Sequence, residues 1–245
     1  MDAETKALRA ASFDEVAGAY ERARPGYPDE AVRWLAGEPP RDVLDLGAGT
    51  GKLTRSLVAA GHRVTAVEPL AGMREQLVRA VPAAVALEGT AERIPAADAS
   101  FDVVTVAQAF HWFDHDVALP EIARVLRPGG ALALVWNMRD ESAPWVVELG
   151  ALMGGATIGG ARTAEAALGA SDRFGAVEHA VFAHEQVLGE TSLRDLVLSR
   201  SHCAIRSDEE RSEVLDRISA LFAAHAVDGV LALPYVVACY RARRA

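Results

Sequence analysis

The feature that most constrains this chain is a glycine-rich turn that follows a short apolar run. Residues 43–46 are mainly apolar, residues 45–51 read Asp-Leu-Gly-Ala-Gly-Thr-Gly, and helical spacing begins near Lys52. Glycine allows a tight turn and lets a ligand approach the backbone closely. The segment therefore predicts a strand that turns sharply into a helix, with a candidate ligand site at the turn.

Similar short runs recur along the chain at 64–67, 83–87, 103–106 and 132–135. Stretches with helical spacing lie between them at 52–60, 70–80 and 117–126. Strands that are apolar on both faces and alternate with helices are typical of a parallel sheet covered by helices. We expect a doubly wound, Rossmann-like α/β sheet.

The two ends of the chain are less regular. Residues 1–37 predict two short helices joined by a kinked loop at 24–28, where Pro25 and Pro28 interrupt helical bonding. After the core at 38–137, residues 138–245 predict a helix at 145–153, a loop at 154–160, strands at 178–187 and 232–240, and helices at 192–199 and 208–224. We interpret residues 1–245 as one domain whose tail completes the sheet and adds a helical insertion.

Two carboxylates accompany the glycine turn. Its spacing is G-x-G-x-G, which differs from the G-x-G-x-x-G of dinucleotide folds, and it lacks the Lys-Ser/Thr ending of a phosphate-binding loop. Asp45 would repel a pyrophosphate but suits a ligand ammonium group. Glu68 ends the second strand, where an acid can accept hydrogen bonds from ribose hydroxyls. The alternatives are that the glycine segment is an ordinary strand-to-helix turn and that Glu68 is a solvated loop carboxylate.

Composition disfavours several classes of partner. The net charge is −9, and lysine occurs only at Lys6 and Lys52, which disfavours a nucleic-acid partner. No apolar run approaches the length of a membrane span, and the acidic start lacks the apolar region of a signal peptide. Cys203 and Cys239 lie far apart and predict buried thiols, with no metal site. We expect a cytoplasmic protein.

These motifs together resemble the class I S-adenosylmethionine-dependent methyltransferases over residues 38–137. The resemblance rests on D-x-G-x-G-x-G at 45–51, the terminal Glu68 and Leu-Arg-Pro-Gly-Gly at 126–130, which matches the turn before the family's fifth strand. The segments Arg-Pro-Gly-Tyr-Pro at 24–28 and Phe-His-Trp-Phe at 110–113 are similar to a small-molecule "type 11" branch that includes trans-aconitate-methyltransferase-like proteins. The resemblance implies seven strands with the last antiparallel, and N-terminal helices and a helical insertion that cover the site.

The resemblance also implies a cofactor site, with S-adenosylmethionine as cofactor and S-adenosylhomocysteine as product. Asp45 and the backbone at 47–49 would face the methionine part, Glu68 would hold the ribose, and Pro69 and Met73 would lie along the adenosine. Where many relatives carry an aspartate for the adenine amino group, this chain has Thr90, with Glu92 nearby. The complete implied set is Tyr20, Arg24, Asp45, Gly47, Ala48, Gly49, Glu68, Pro69, Met73, Thr90, Ala91, Glu92, Ala107, Gln108 and Ala109.

The chemistry points to one candidate catalytic residue. Methyl transfer is an in-line displacement, so the protein mainly aligns the reactants and excludes water. His111 follows the fourth strand and could serve as a general base or only position the substrate. His115 is better explained as the start of a helix capped by Asp114. Candidates for the acceptor pocket are Phe13, Tyr20, Tyr27, Trp136 and Trp145, and Arg200 could pair with an acceptor carboxylate or form a surface ion pair.

The favoured function is methylation of a small organic acceptor, with oxygen slightly ahead of nitrogen or carbon, by a monomer or homodimer. A protein of the same fold that binds S-adenosylmethionine without transferring its methyl group is the main alternative. The glycine spacing disfavours a nicotinamide-dependent oxidoreductase, and the acidic charge disfavours a tRNA methyltransferase.

Overall fold

A computed structural model of the chain describes residues 24–153, 166–198 and 208–245. The parallel part of the fold contains β1 (Asp42–Leu46), β2 (Arg63–Val67), β3 (Val85–Leu87), β4 (Phe101–Ala107) and β5 (Leu126–Arg139). The helices among them are α1 (Asp29–Ala36), α2 (Lys52–Ala59), α3 (Ala71–Ala80), a 3₁₀ turn (Phe110–Trp112) and α4 (His115–Val125). The remaining elements are α5 (Pro144–Leu152), β6 (Phe174–Leu188), α6 (Glu190–Leu198), α7 (Asp208–His225) and β7 (Leu231–Arg244).

The seven strands form one sheet in the order β3-β2-β1-β4-β5-β7-β6, and the last strand is antiparallel. The β1 strand pairs in parallel with β2 and β4, β2 with β3, and β4 with β5. The predicted α/β, Rossmann-like sheet is confirmed. Because β1 is parallel to its two neighbours β2 and β4, the turns that leave these three strands emerge at the same edge of the sheet.

The chain divides into two compact units. The first unit contains Gly26–Asn137, Ile158–Phe182 and Val237–Ala245, and the second contains Met1–Pro25, Met138–Thr157 and Ala183–Val236. A core of the first unit packs α1 and α2 against the sheet, with fully buried Leu35, Val43 and Leu57. A core of the second unit contains Leu149, Leu193 and Ile218, from α5, α6 and α7 respectively. The expectation of one domain over 1–245, with the boundaries at 37 and 137, stays a prediction.

Several predicted boundaries are wrong. The β3 strand begins at Val85, because the amide of Ala84 donates to the carbonyl of Val81 and closes a turn. The α4 helix begins before the helical spacing at 117–126, and it begins at His115 as the expected Asp114 cap indicated, since the side chain of Asp114 accepts a hydrogen bond from the amide of Asp116. The β6 and β7 strands each extend beyond the predicted ranges.

The predicted turn at 126–130 is a bulge within β5. The register places Phe101 opposite Leu126 and Val103 opposite Ala131, so residues 127–130 protrude between two paired positions. The predicted loop at 154–160 and the first predicted N-terminal helix lie outside the described residues.

Candidate active site

The glycine turn joins β1 to α2 in a conformation that most residues disfavour. Gly47, Gly49 and Gly51 have φ of 69°, 58° and 88°, in the left-handed region. The amides of Gly47 and Ala48 donate to the carbonyl of Val67, at 2.8 and 3.2 Å, which anchors the turn to the end of β2. The sequence pattern therefore specifies both the shape of this turn and its place in the sheet.

The first and second glycines of the turn serve different purposes. A Cβ at Gly47 would lie 2.8 Å from the Cβ of Ala109, so a side chain there would push against the segment that follows β4. At Gly49, by contrast, no atom of the described residues, apart from Gly49 and its two chain neighbours, lies within 4 Å of the position that a Cβ would take. Gly47 lets two turns of the protein approach each other, and Gly49 leaves open space of the kind that a ligand can fill.

Asp45 is completely buried beneath this turn. Its carboxylate accepts hydrogen bonds from the hydroxyls of Thr54, at 2.6 Å, and Thr105, at 3.2 Å. Burial raises the pKa of the Asp45 carboxyl to about 6, although the threonine hydrogen bonds oppose this change, and the Glu68 carboxylate adds to the increase. The expected contact with a ligand ammonium group stays a prediction.

The sequence interpretation missed both threonines. Thr54 lies in the first turn of α2, and Thr105 lies directly opposite Asp45 in the register of β4 with β1. The available signal was the polar hydroxyl at position 105 within the otherwise apolar run 103–106. Pairing it with Asp45 required the register, which the sequence alone does not provide.

The Glu68 carboxylate supports the glycine turn directly. One oxygen accepts a hydrogen bond from the amide of Gly49 at 2.8 Å, and the other accepts from the amide of Leu70 at 3.0 Å. Glu68 is almost completely buried. The expected contact of Glu68 with ribose hydroxyls stays a prediction.

The segment predicted to contact adenine is tied to the segment that carries His111. The Glu92 carboxylate accepts a hydrogen bond from the amide of Asp114 at 2.9 Å. Thr90 is exposed, whereas Ala91 is buried. Of the two residues expected beside the adenosine, Pro69 is exposed and Met73 packs in the protein interior. Glu92 therefore has a structural contact that its predicted adenine role did not include.

The residues after β4 carry the clearest backbone strain in the site. Gln108 has φ of 57°, which is uncommon for a side chain of this type. Its amide donates to the carbonyl of Val135 at 3.0 Å, and its side-chain nitrogen donates to the carbonyl of Asn137 at 3.2 Å. Asn137 in turn donates to the carbonyl of Gly26 at 2.9 Å. Asn137 was absent from the predicted site.

His111 lies on the 3₁₀ turn that follows Ala109, with an exposed side chain whose ring centroid is 5.0 Å from that of Trp112. Its neighbour Phe110 is fully buried and anchors the turn. His115 stacks on Phe110 with centroids 4.4 Å apart, and its Nε2 lies 3.0 Å from the Phe110 carbonyl oxygen. His115 therefore has the structural role that we expected, and His111 presents its ring to solvent.

The other candidates are less informative. Arg24 is half-buried in the second unit. Tyr27 and Trp136, proposed to line the acceptor pocket, are buried, and Tyr27 packs in the core of the first unit. Trp145 packs against the core of the second unit. The remaining candidates, Phe13, Tyr20 and Arg200, lie outside the described residues.

Within residues 24–153, 166–198 and 208–245, no helix combines the length and apolar character needed to cross a bilayer. The same residues contain no group of three or more histidine, cysteine, aspartate or glutamate side chains that could hold a metal ion.

Comparison with known proteins identifies the family. Residues 44–134 match the model of a methyltransferase domain. An uncharacterized methyltransferase of Mycobacterium tuberculosis (strain ATCC 25618 / H37Rv) is 48% identical over 236 residues, which cover 94% of this chain and 95% of the relative. The chain belongs to the class I methyltransferase family. The match spans nearly the whole of both proteins, so this methyltransferase shares more than its glycine turn with that relative.

Two further comparisons place the family assignment in context. A solved structure from Anaeromyxobacter dehalogenans, assigned as a type II methyltransferase, has a TM-score of 0.70 at 27% identity and covers 90% of this chain and 97% of its own. A malonyl-[acyl-carrier protein] O-methyltransferase of Serratia marcescens is 33% identical over 135 residues, or 54% of this chain and 53% of the relative. The closer placement among trans-aconitate-methyltransferase-like proteins stays a prediction.

Proposed function

We propose that this methyltransferase uses S-adenosylmethionine to methylate a small organic acceptor in the cytoplasm, with oxygen as the favoured acceptor atom. The observation that carries the proposal is the arrangement around Gly49, where open space adjoins a glycine whose amide is held by the Glu68 carboxylate. Phosphoethanolamine N-methyltransferase 2 of Haemonchus contortus, solved with S-adenosyl-L-methionine, shares the fold with a TM-score of 0.56 and 17% identity.

The residues of the first unit fit the chemical parts of this cofactor. Glu68 is oriented by two amides, and a carboxylate is the type of acceptor that ribose hydroxyls need. Asp45 places a carboxyl below the turn, where it attracts a ligand ammonium group. The backbone at 47–49 gives room for the ligand, because glycine lacks a side chain. When bound, the cofactor supplies an electrophilic methyl group on a sulfonium.

The protein then has three tasks. It holds the acceptor atom in line with the methyl group at roughly 3–3.5 Å, and it excludes water from the reacting atoms. It also removes a proton where the acceptor is an alcohol or phenol, which a carboxylate acceptor does not require. His111 follows β4 at the edge where doubly wound sheets bind their ligands. We assign it a positioning role, and the alternative general-base role predicts a lost limb in the pH–rate profile.

Two observations support the proposed acceptor. The Serratia marcescens relative is an O-methyltransferase and covers about half of this chain, which supports oxygen over nitrogen or carbon. The net charge of −9 favours a small molecule over a nucleic acid. We propose a monomer or a homodimer.

One experiment tests the proposal and does not require the acceptor to be chosen in advance. The protein is incubated with S-adenosylmethionine that carries an isotopically labelled methyl group and with a small-molecule extract of its source organism, and the products are examined by mass spectrometry. We expect a labelled small organic product, accompanied by S-adenosylhomocysteine, that a Gly47→Ala variant does not form. Cofactor binding without any labelled product would instead support a protein of this fold that does not transfer methyl groups.

A further inference from the structure

We propose that Arg74 is a positioning residue for the cofactor, because its guanidinium fixes the backbone segment that carries Glu68. The proposal rests on the proposed function, since it concerns the carboxylate that we assign to the ribose. Arg74 was not among the residues implied by the sequence motifs, and it acts through Glu68.

The contacts of Arg74 converge on the ends of two neighbouring strands. One terminal nitrogen, Nη1, donates to the carbonyl of Glu68 at 2.8 Å and to the carbonyl of Pro69 at 3.2 Å. The other, Nη2, donates to the carboxylate of Glu88 at 3.0 Å. Glu68 follows β2 and Glu88 follows β3, so one guanidinium in α3 bridges the ends of both strands.

Glu68 is thereby held at both its backbone and its side chain. Its amide donates to the carbonyl of Leu87 at 3.1 Å, and its carbonyl accepts from Arg74. Its carboxylate oxygens accept from Gly49 and Leu70. Leu70 directly follows the two residues whose carbonyls Arg74 binds, so loss of the guanidinium releases the peptides that place the Leu70 amide. A shift there moves the carboxylate away from its ligand, and small displacements of positioning groups have large effects on binding and rate.

The main-chain contacts of Arg74 outweigh its ion pair. The side chain of Glu88 is 76% exposed, whereas that of Arg74 is 21% exposed. Exposed ion pairs contribute little to stability because water screens them. A hydrogen bond from a charged donor to a partly buried carbonyl, such as that of Glu68, is stronger than one between neutral groups. We therefore expect Glu88→Gln to leave cofactor affinity within about twofold of the wild-type value, since it preserves the carbonyl contacts.

The test compares two arginines of one helix. Arg74→Met removes the donors but keeps an apolar stem, and Arg79→Met is the matched control. Arg79 is 65% exposed and its ion pair is with Glu75, at 3.9 Å within the same helix. Calorimetric titration with S-adenosylhomocysteine should show affinity about tenfold weaker for Arg74→Met and unchanged within about twofold for Arg79→Met. Equal affinity in Arg74→Met and wild type would overturn the proposal.

A double-mutant cycle separates positioning from general support of the fold. In a Glu68→Gln background the favourable carboxylate is already absent, so adding Arg74→Met should weaken binding by less than about twofold. The same tenfold loss in both backgrounds would contradict a role through Glu68. If Arg74→Met does not fold, Arg74→Lys is used in the same cycle, because it keeps the charge but cannot donate from a planar fork.

The kinetic readout gives an independent criterion. Because the positioning concerns cofactor binding, KM for S-adenosylmethionine should increase in the Arg74 variant while kcat changes little. A loss of kcat of about tenfold in the folded variant, with KM for S-adenosylmethionine unchanged, counts against the proposal. Failure of the wild-type protein to bind S-adenosylhomocysteine would refute the proposed function itself, so the two failures are distinguishable.

Discussion

The central acids at the amino ends of the parallel strands (the amino edge) and at their carboxyl ends (the carboxyl edge) have different partners. At the amino edge, Asp42 and Asp102 both form ion pairs with Arg127, at 2.9 and 2.7 Å, and Asp42 also pairs with Arg63 at 2.6 Å. At the carboxyl edge, hydroxyls hold Asp45 and amides bind Glu68. Asp45 forms no ion pair within the part of the chain that the structure describes.

This difference indicates that the charged groups at the amino edge stabilise the fold, whereas Asp45 and Glu68 at the carboxyl edge are available to a ligand. At the amino edge, cations and anions of the protein neutralise each other and fix the bulge that contains Arg127. At the carboxyl edge, neutral donors orient Asp45 and Glu68, whose negative charge a positively charged ligand can compensate, whereas the exposed Glu88 pairs with Arg74. We therefore expect changes at the amino edge to affect stability and changes at the carboxyl edge to affect cofactor binding as well.

The largest expected effect is that of Gly47→Ala. A Cβ at this position would lie 2.8 Å from Ala109, and φ is 69°. The added methyl must displace the turn, and a displacement near 1 Å should weaken cofactor affinity about a hundredfold. Gly129→Ala, in the amino-edge bulge, is the matched control, because φ there is 76° but no described atom lies within 4 Å of the Cβ. It should cost about 1 kcal/mol of stability and leave cofactor affinity unchanged. Calorimetry measures the cofactor affinity of the two variants, and thermal unfolding measures their stability. Weak cofactor binding in Gly129→Ala as well as in Gly47→Ala would contradict the expected difference between the edges.

The acids of the two edges should give stability a pH dependence of opposite sign. Burial raises the pKa of Asp45 to about 6, so the folded state favours its protonated form. Its contribution is therefore full below pH 3.8 and is lost as pH increases through about 6, a change of about 3 kcal/mol that Asp45→Asn should remove. Hydrogen bonds from Arg63 and Arg127 lower the pKa of Asp42, so its contribution is present above pH 3.8 and is lost on acidification.

Denaturant unfolding of Asp45→Asn, Asp42→Asn and wild type between about pH 3 and pH 7 measures these contributions. The difference between wild type and Asp45→Asn should change with pH in the opposite direction to the difference between wild type and Asp42→Asn. Parallel pH profiles of the two variants would show that the edges do not differ in this way.

Removal of the Glu68 carboxylate should have an intermediate effect. Glu68→Ala deprives the ribose hydroxyls and the Gly49 amide of an acceptor, so affinity for adenosine-containing ligands should decrease about tenfold. Asp102→Ala removes an acid from the other edge, where it binds Arg127 and the amide of Asp42. That variant should lose about 1 kcal/mol of stability and bind the cofactor normally. Competition binding with 5′-methylthioadenosine gives both affinities, and an equal loss in both variants would be inconsistent with the account.

The smallest expected effect concerns the histidines. His111→Ala should lower turnover only a few-fold and leave the pH–rate profile unchanged, because we assign His111 to positioning. His62 precedes β2 at the amino edge and is almost completely buried. His62→Ala should lower the melting temperature without changing kcat. Loss of one ionisation limb in the His111 variant would assign it the base role instead.

The sequence predicted much of the first unit because its signals are local. The β1, β2 and β4 strands contain short apolar runs. The turn at 45–51 is marked by three glycines, because its positive φ angles favour glycine. Asp114 was recognised as a helix cap for the same reason, since the cap and the helix it begins are adjacent in the chain.

The parts that sequence reasoning missed depend on contacts between distant segments. The hydrogen bonds of Thr105 to Asp45 and of Gln108 to Asn137 each join residues on neighbouring strands. The Arg74 contacts join a helix to two strand ends. The bulge at 127–130 looks like an ordinary turn until its register with β4 is known. Such pairings follow from topology and register, which periodicity does not determine.

A crystal structure of the protein with S-adenosylhomocysteine tests the central claim most directly. We predict that the ribose hydroxyls lie within hydrogen-bonding distance of the Glu68 carboxylate and that the ligand fills the space beside Gly49. A ligand bound elsewhere, with its ribose beyond hydrogen-bonding distance of Glu68, would contradict this account of the carboxyl edge.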